Sequence, residues 1–216
     1  MPKVYVSPSD QSANAYAVGN TTEKVQCQKI STDLVAALKR CKIDAKDNHT
    51  GNMGARVAES NAFGADLHLP IHTNAFNTKV QGTRIFVYDL AGNGYKAAQC
   101  IMKHLAPITP GSSDGITEQK DLYEIKNADA PTVYIEVAFH DNQEEAKWII
   151  EHTTEIAEAI CKGICEYYDI AYVAPGDTGS ELFRVQVGAF RNKANADAFL
   201  AELKSKGYTD AFIVKR

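Results

Sequence analysis

Residues 65–76, ADLHLPIHTNAF, are the stretch that decides the fold. The segment 66–72 is short and largely apolar, which is typical of a buried β-strand, and it ends at His72. A second strand-like segment at 132–137, TVYIEV, contains a single carboxylate, Glu136. Helical patterns flank both segments, and this alternation predicts an α/β fold with a mainly parallel sheet flanked by helices on both faces.

The other elements are predicted from hydrophobic periodicity and turn residues. Helical spacing is present at 23–41, 54–64, 93–106 and 143–168, and strand-like runs at 3–7, 43–46, 83–88 and 122–126. Residues 107–120 contain two prolines and two glycines and are expected to form a loop. Because ligand sites in such folds gather at the carboxyl ends of strands, we expect the functional residues there.

Composition and charge divide the chain into unequal parts. Residues 174–180, APGDTGS, are polar and rich in Gly and Pro, as linkers are. Residues 181–216 carry seven Lys/Arg and four Asp/Glu, whereas the preceding residues carry 16 and 23. We therefore predict a catalytic domain at 1–172, a linker at 173–180 and a small β-α-β unit at 181–216.

Several classes of protein are disfavoured by the sequence. The net charge of -4 argues against nucleic acid as the main partner. No apolar run approaches ~20 residues, so membrane insertion is not expected. The N-terminal sequence MPKVYVSPSDQ has no signal-peptide features, which predicts a chain made in the cytosol without an export signal.

The five cysteines give no sequence sign of a metal centre. Cys161 and Cys165 are one helical turn apart, a spacing that rarely suits a disulfide, and Cys27, Cys41 and Cys100 are scattered. We expect reduced thiols, as in a protein made in the cytosol.

Three residues are candidates for metal or acid–base chemistry. His72 terminates a strand, where an imidazole suits a zinc ligand. Glu136 lies in an apolar strand, and a buried carboxylate is costly unless it is paired, bound to metal or raised in pKa, which suits a general base. Glu23 opens the first predicted helix, where the helix dipole alone also favours an acid.

These segments resemble, in the same chain order, the zinc-dependent N-acetylmuramoyl-L-alanine amidases that degrade bacterial cell walls. ADLHLPIHTNAF resembles their strand-His-x-Asn-Ala element, and APTVYIEVAFHDNQEEAKWI their strand with the catalytic Glu, the following loop and the last helix. TEKVQCQKISTDLVAAL is similar to their ligand-bearing first helix and ARVAESNAFGAD to the helix before the His strand. The resemblance covers roughly residues 3–170.

The resemblance implies zinc-dependent hydrolysis of the amide bond between N-acetylmuramic acid and L-alanine in peptidoglycan. It implies that Glu23 and His72 are zinc ligands and that Glu136 is the catalytic acid/base. It also places Asn74 and the Gly82-Thr83 pair near the cleft. His140, four residues after Glu136, is a candidate for substrate binding or for the metal.

One ligand of the family pattern is missing. The family follows its first strand with Asp-Pro-Gly-His-Gly, whose His binds zinc, but this chain has Ser-Pro-Ser-Asp-Gln at 7–11. Alignment places Asp10 at the His position and Gln11 after it. We favour Gln11, because Ser-Pro-Ser-x-Gln-x-x-Asn resembles a recurring variant of these amidases; Asp10 and His140 are the alternatives.

The C-terminal residues 182–216 resemble one half of a SPOR module, which recognises the glycan strands of peptidoglycan. Arg184 and Gln186, with Arg191, are candidate glycan contacts. A complete module has two strand-helix-strand halves, and one half cannot bury both faces of its sheet. We therefore expect the tail to pair with a second copy as a homodimer, to pack on the amidase, or to be unstable alone.

Two other functions are compatible with the sequence. One is a non-catalytic peptidoglycan-binding protein that lost its metal with the missing His, and the other is a zinc peptidase of stem peptides. The missing signal peptide favours release by lysis, as for a phage endolysin. An autolysin whose leader was removed is the alternative setting.

Overall fold

The computed structural model describes residues 1–176, 185–209 and 211–214. The chain forms two compact units, Met1–Asp177 and Thr178–Arg216. In the described residues no helix is long and apolar enough to cross a bilayer. The boundaries expected from the sequence, with a linker at 173–180, remain predictions.

The described part of the first unit is built on a six-stranded sheet with strand order β2-β1-β3-β6-β4-β5. Its strands are β1 (Lys3–Pro8), β2 (Asp44–Asp47), β3 (Leu67–Asn74), β4 (Arg84–Val87), β5 (Gly115–Glu118) and β6 (Tyr134–Phe139). Strands β2, β1, β3 and β6 are parallel, β4 is antiparallel to β6, and β5 is parallel to β4. The mainly parallel α/β fold is confirmed.

Helices cover both faces of this sheet. They are α1 (Glu23–Arg40), α2 (Met53–Phe63), α3 (Asn93–Leu105), α4 (Tyr123–Asn127), α5 (Gln143–Glu151) and α6 (Thr153–Tyr167). Helix α6 packs on α1 and α3, whereas α2 contacts α4 and β1. Since successive crossovers β1-α1-β2 and β2-α2-β3 move along the sheet in opposite directions, right-handed connections place α1 and α2 on opposite faces.

Strand alternation gives the two faces different chemistry. On β1 and β3, Val4, Val6, Leu67, Leu69 and Ile71 belong to the apolar core shared with α1, α3 and α6. The alternate positions on β1, β3 and β6 are aromatic or polar and lie on the face covered by α2 and α4: Tyr5, Ser7, His68, His72, Tyr134 and Glu136. The period of two thus places the candidate residues on one side of the sheet.

The segment predicted as a strand at 122–126 is instead helix α4. A five-residue run of mixed residues, LYEIK, does not distinguish strand from helix by periodicity. The helical turn buries Glu124 and Ile125 against the sheet. The strand prediction was therefore wrong, and the error concealed a buried carboxylate.

Two further predictions differ from the structure. The predicted loop 107–120 contains a 3-10 turn, Ala106–Ile108, and the edge strand β5, which is short and partly exposed and so lacks an apolar pattern. The predicted helix 143–168 is interrupted at His152, whose φ of -126° and ψ of 26° are not helical. The two halves become α5 and α6.

The second unit contains helix α7 (Lys193–Ser205), and the Asn192 side chain caps its first turn. Strands were expected on either side, but the described residues 185–190 and 211–214 have no regular secondary structure. A strand needs a neighbour for its backbone N–H and C=O groups, and a single half-module offers few. The rings of Phe190 and Phe199 pack 5.4 Å apart.

Candidate active site

His72 and Glu23 form a buried pair at the carboxyl end of β3. Oε1 of Glu23, the first residue of α1, lies 2.8 Å from Nδ1 of His72. Glu23 is 1% exposed and His72 is 5% exposed. The other carboxylate oxygen of Glu23 accepts a hydrogen bond of 2.7 Å from the Asn14 amide. The candidate residues at 23 and 72, far apart in sequence, are thus brought into contact.

Gln11 is the third side chain at this imidazole. Its Nε2 lies 3.4 Å from Nδ1 of His72, and its Oε1 accepts a hydrogen bond of 2.8 Å from Asn14. Asp10 is instead 41% exposed at its side chain, with Oδ2 lying 3.6 Å from Nη1 of Arg56. Of the two alternatives after β1, Gln11 faces His72 and Asp10 faces Arg56.

Glu136 lies beside His72 on the neighbouring strand. The two residues are register partners in the parallel pairing of β3 with β6, and a bulge follows between His72 and Asn74. Tyr134, two residues earlier on β6, stacks on the His72 ring at 4.5 Å between centroids. The buried Oε2 of Glu136 and Nε2 of His72 have no hydrogen-bond partner among the described residues.

Burial and neighbouring charges determine the pKa values of Glu136, Glu23 and His72. Burial raises the pKa of Glu136 to about 7, with a further contribution from the negative charge of Glu23 and a partial offset by His72. Burial also raises the pKa of Glu23, but hydrogen bonds from His72 and Asn14 outweigh it and the net pKa is lowered. Burial lowers the pKa of His72, but its hydrogen bond to Glu23 raises the net value.

A second carboxylate, that of Glu124, lies near Nε2 of the His72 imidazole. Its Oε2 lies 3.9 Å from Nε2 of His72, and its Oε1 lies 3.6 Å from Nε2 of His68. Oε1 also accepts a short hydrogen bond from the Ser7 hydroxyl, which in turn accepts one of 2.8 Å from Nε of Arg56. Glu124 was not predicted from the sequence; the available signal was an acid within the apolar run LYEI.

The other candidate residues are dispersed. His140 is buried, stacks on Tyr16 at 5.2 Å, and donates from Nδ1 to the backbone carbonyl of Thr73 at 2.9 Å. Asn74 ends β3, and its side chain accepts a hydrogen bond from the Ala75 amide. In the second unit Gln186 is exposed. Arg184 lies outside the described residues.

Glu145 fixes the loops that border the site. Its completely buried carboxylate accepts hydrogen bonds of 2.6 Å from the Gly82 and Phe139 amides. These amides come from the loop before β4 and the end of β6, so one side chain ties both segments together. The Gly82-Thr83 pair is thereby held in place: the Thr83 hydroxyl donates to the carbonyl of Val137 at 3.0 Å.

Sequence comparison identifies both parts of the chain. The Amidase_3 family, N-acetylmuramoyl-L-alanine amidase, matches residues 7–166, and the SPOR domain family matches residues 179–216. The N-acetylmuramoyl-L-alanine amidase CwlM of Bacillus licheniformis is 23% identical over all of this chain and 86% of its own length. The sporulation-specific N-acetylmuramoyl-L-alanine amidase of Bacillus subtilis (strain 168) is 22% identical with the same coverage.

A solved structure shares the fold. The catalytic domain of CwlV, an N-acetylmuramoyl-L-alanine amidase from Bacillus (Paenibacillus) polymyxa var. colistinus, superimposes with a TM-score of 0.71 at 20% identity, over 79% of this chain and all of that one. Amidase_3 proteins are typically zinc-dependent. The chain therefore belongs to the Amidase_3 family of N-acetylmuramoyl-L-alanine amidases, acts on peptidoglycan, and carries a C-terminal SPOR domain.

Proposed function

We propose that Gln11, Glu23 and His72 bind the zinc ion of this amidase and that Glu136 is its catalytic acid/base. The observation that carries the proposal is the convergence of the Gln11 and Glu23 side chains on Nδ1 of His72, with Glu136 in register beside it. These are the roles expected for the same residues from the sequence, with Gln11 in place of the missing histidine.

The donor set fits zinc. Imidazole nitrogen and carboxylate oxygen are usual zinc ligands, and three protein ligands with one open position are typical of catalytic zinc sites. The neutral amide oxygen of Gln11 would be the weakest donor of the three. A flip of the Gln11 side-chain amide exchanges the positions of Oε1 and Nε2, so that the oxygen faces His72. Oε2 of Glu136 is buried and has no hydrogen-bond partner among the described residues. Since buried polar atoms normally have a partner, this free oxygen suits a position beside a bound ligand or substrate.

Glu124 completes the proposal as a positioning residue. If Nδ1 of His72 were to hold the ion, Nε2 would remain near the Glu124 carboxylate, which lies 3.9 Å away, within range of charge attraction and beyond that of a hydrogen bond. A carboxylate behind a zinc-bound imidazole fixes the ring orientation and strengthens the ligand. The Ser7 hydroxyl donates to Glu124, Arg56 donates to Ser7, and Nε2 of His68 lies 3.6 Å from Oε1 of Glu124.

The chemistry divides between ion and protein. Zinc at this position supplies a Lewis acid that polarises the scissile carbonyl and makes water more acidic. Glu136 takes the proton from the attacking water and returns it to the departing alanine nitrogen. Burial raises the pKa of Glu136 to about 7 in the metal-free protein, and a zinc ion nearby would lower it and favour the carboxylate that accepts the proton.

Substrate contacts are proposed from position. Asn74 lies at the end of β3, after the bulge that follows His72. We therefore assign its side chain to contact with the muramyl peptide in the cleft. Since Nδ1 of His140 is already bonded to Thr73, we assign this residue to shaping the cleft in preference to metal binding. In the SPOR domain, Arg184 and Gln186 are the proposed glycan contacts.

Homodimerisation through the single half-module is a further proposal. It is supported by the exposure of Val185 and Val187, which are 83% and 58% accessible in the second unit. Light scattering of the full chain against a chain ending at Ala174 tests it. A dimer that becomes monomeric on truncation is expected, and a full-length monomer contradicts it.

Product analysis tests the reaction itself. Purified peptidoglycan is treated with zinc-loaded protein and with chelator-treated protein, and the released fragments are analysed by mass spectrometry. New L-alanine amino termini with intact stem peptides are expected only from the zinc-loaded sample. Cleavage within stem peptides would identify a peptidase, and wall binding without release in either sample would identify a non-catalytic binding protein.

A further inference from the structure

Three cysteines from distant parts of the sequence meet in the first unit. Cys41 follows α1, and Cys161 and Cys165 lie one turn apart on α6. Their Sγ atoms all lie within 4.8 Å of one another, and all three residues are buried. The site is at the opposite end of the 18-residue α1 from Glu23, about 27 Å away along the helix.

The spacing of the sulfurs suits a metal ion. Cys41 and Cys161 have their Sγ atoms 3.8 Å apart, and the thiols are free. With Zn–S bonds of about 2.3 Å, two thiolates on a tetrahedral ion are separated by about 3.8 Å. A disulfide would require about 2.05 Å, so these two sulfurs are not bonded to each other.

Burial raises the pKa of the Cys41 thiol, and one backbone N–H is placed beside its sulfur. The backbone N–H of Val173 donates to Cys41 Sγ at 3.3 Å, and hydrogen bonds to sulfur are among the features that tune metal–thiolate centres. The guanidinium of Arg40 holds the carbonyl of Val173 at 2.8 Å and pairs with both oxygens of Glu158. These contacts hold residues 170–173, which are half-buried or exposed, beside the three thiols.

We propose that Cys41, Cys161 and Cys165 form a second metal site that takes a thiophilic d10 cation, Zn²⁺ or Cu⁺, independently of the active site. Binding converts the three thiols to thiolates and releases their protons to solvent. The bound ion links the end of α1 to α6 beneath residues 170–173. It is a structural site, because the sulfurs are buried and no acid or base of the hydrolytic site contacts them.

Cobalt titration of the full chain tests this site separately from the catalytic one. The protein is reduced, stripped with chelator and titrated with Co²⁺ without oxygen. Thiolate-to-cobalt charge-transfer absorption in the near ultraviolet reports the cysteine site alone, because the proposed catalytic ligands contain no sulfur. We expect the band to saturate at one equivalent per chain, to be lost in Cys161→Ala, and to persist in the matched control Cys100→Ala.

Competition shows which of the two ions the site prefers. Stoichiometric displacement of cobalt by Zn²⁺ alone assigns zinc, and displacement by Cu⁺ at far lower free concentration assigns copper. Cys161→Ala is expected to keep its zinc-dependent amidase activity. If that variant does not fold, cadmium-113 NMR of the wild-type chain replaces it, with a resonance in the thiolate-rich region expected. Cobalt uptake without the band, a band that survives Cys161→Ala, or a cadmium signal only in the oxygen/nitrogen region would overturn the proposal.

Discussion

Glu136 on β6 is the register partner of His72 on β3. Parallel neighbours in register have their side chains on the same face of the sheet, about 4.8 Å apart along the hydrogen-bonding direction. A slip of one residue would turn Glu136 into the apolar core shared with α1 and α6. The pairing of these two strands therefore brings Glu136 beside His72 on one face of the sheet.

Replacing Glu136 by Gln removes the proposed proton acceptor while preserving the shape of the side chain. We expect kcat on peptidoglycan to fall by about 10²- to 10⁴-fold, the usual contribution of general acid–base catalysis. Zinc content, measured by mass spectrometry of metals, should stay at the wild-type value. Glu144→Gln, on the exposed side of α5, is the matched control and should be fully active. Near-normal turnover of Glu136→Gln would remove this residue from the mechanism.

The identity of the third ligand is tested by Gln11→Ala and Asp10→Ala. Because Gln11 faces His72 and Asp10 faces Arg56, we expect zinc affinity to fall at least ~10-fold in Gln11→Ala and to change little in Asp10→Ala. Gln11→Glu should bind zinc at least as tightly as the wild type, since a carboxylate is the more usual ligand. Competition with a chromophoric chelator measures all three, and loss of affinity confined to Asp10→Ala would reverse the assignment.

The raised pKa of Glu136 makes the metal-free protein sensitive to pH. The carboxyl has a pKa of about 7 when folded against a model value of 4.5, so its contribution to stability is fully present below pH 4.5 and is lost as the pH rises towards 7. The loss is on the order of 3 kcal/mol, from 1.36 kcal/mol for each pKa unit.

Urea unfolding of chelated protein at pH 5 and pH 8 measures this loss. Glu136→Gln cannot ionise, so its free energy of unfolding should fall less between the two pH values than that of the wild type. Identical pH profiles for both proteins would show that Glu136 is not the buried titrating group.

Glu124 is expected to matter for both stability and metal binding. In Glu124→Ala the hydroxyl of Ser7 loses its buried acceptor and His68 loses a carboxylate 3.6 Å from its Nε2, so the free energy of unfolding should fall by about 2–4 kcal/mol. Zinc affinity should also fall, by about 10- to 100-fold. Glu118→Ala on the exposed β5 should change stability by less than about 0.5 kcal/mol. Unchanged zinc affinity in a folded Glu124→Ala protein would exclude the positioning role.

Local patterns predicted much of the fold. The apolar runs of β1, β3 and β6 and the long amphipathic α1 were found close to their observed bounds, because burial of a strand or of one helix face leaves a periodic trace in adjacent residues. The half-exposed β5 and the short α4 were not found. Their stability comes from packing against β4 and α2, which no local pattern records.

The sequence by itself determined the order of the elements other than β5 and α4, the family, and the candidate residues Glu23, His72 and Glu136. The tertiary structure decided which side chain after β1 faces His72, that Glu124 stands behind it, and that Cys41 meets the thiols of α6. The physical reason is that these contacts join residues tens to more than a hundred positions apart. Chain folding, not spacing along the sequence, sets the distances between them.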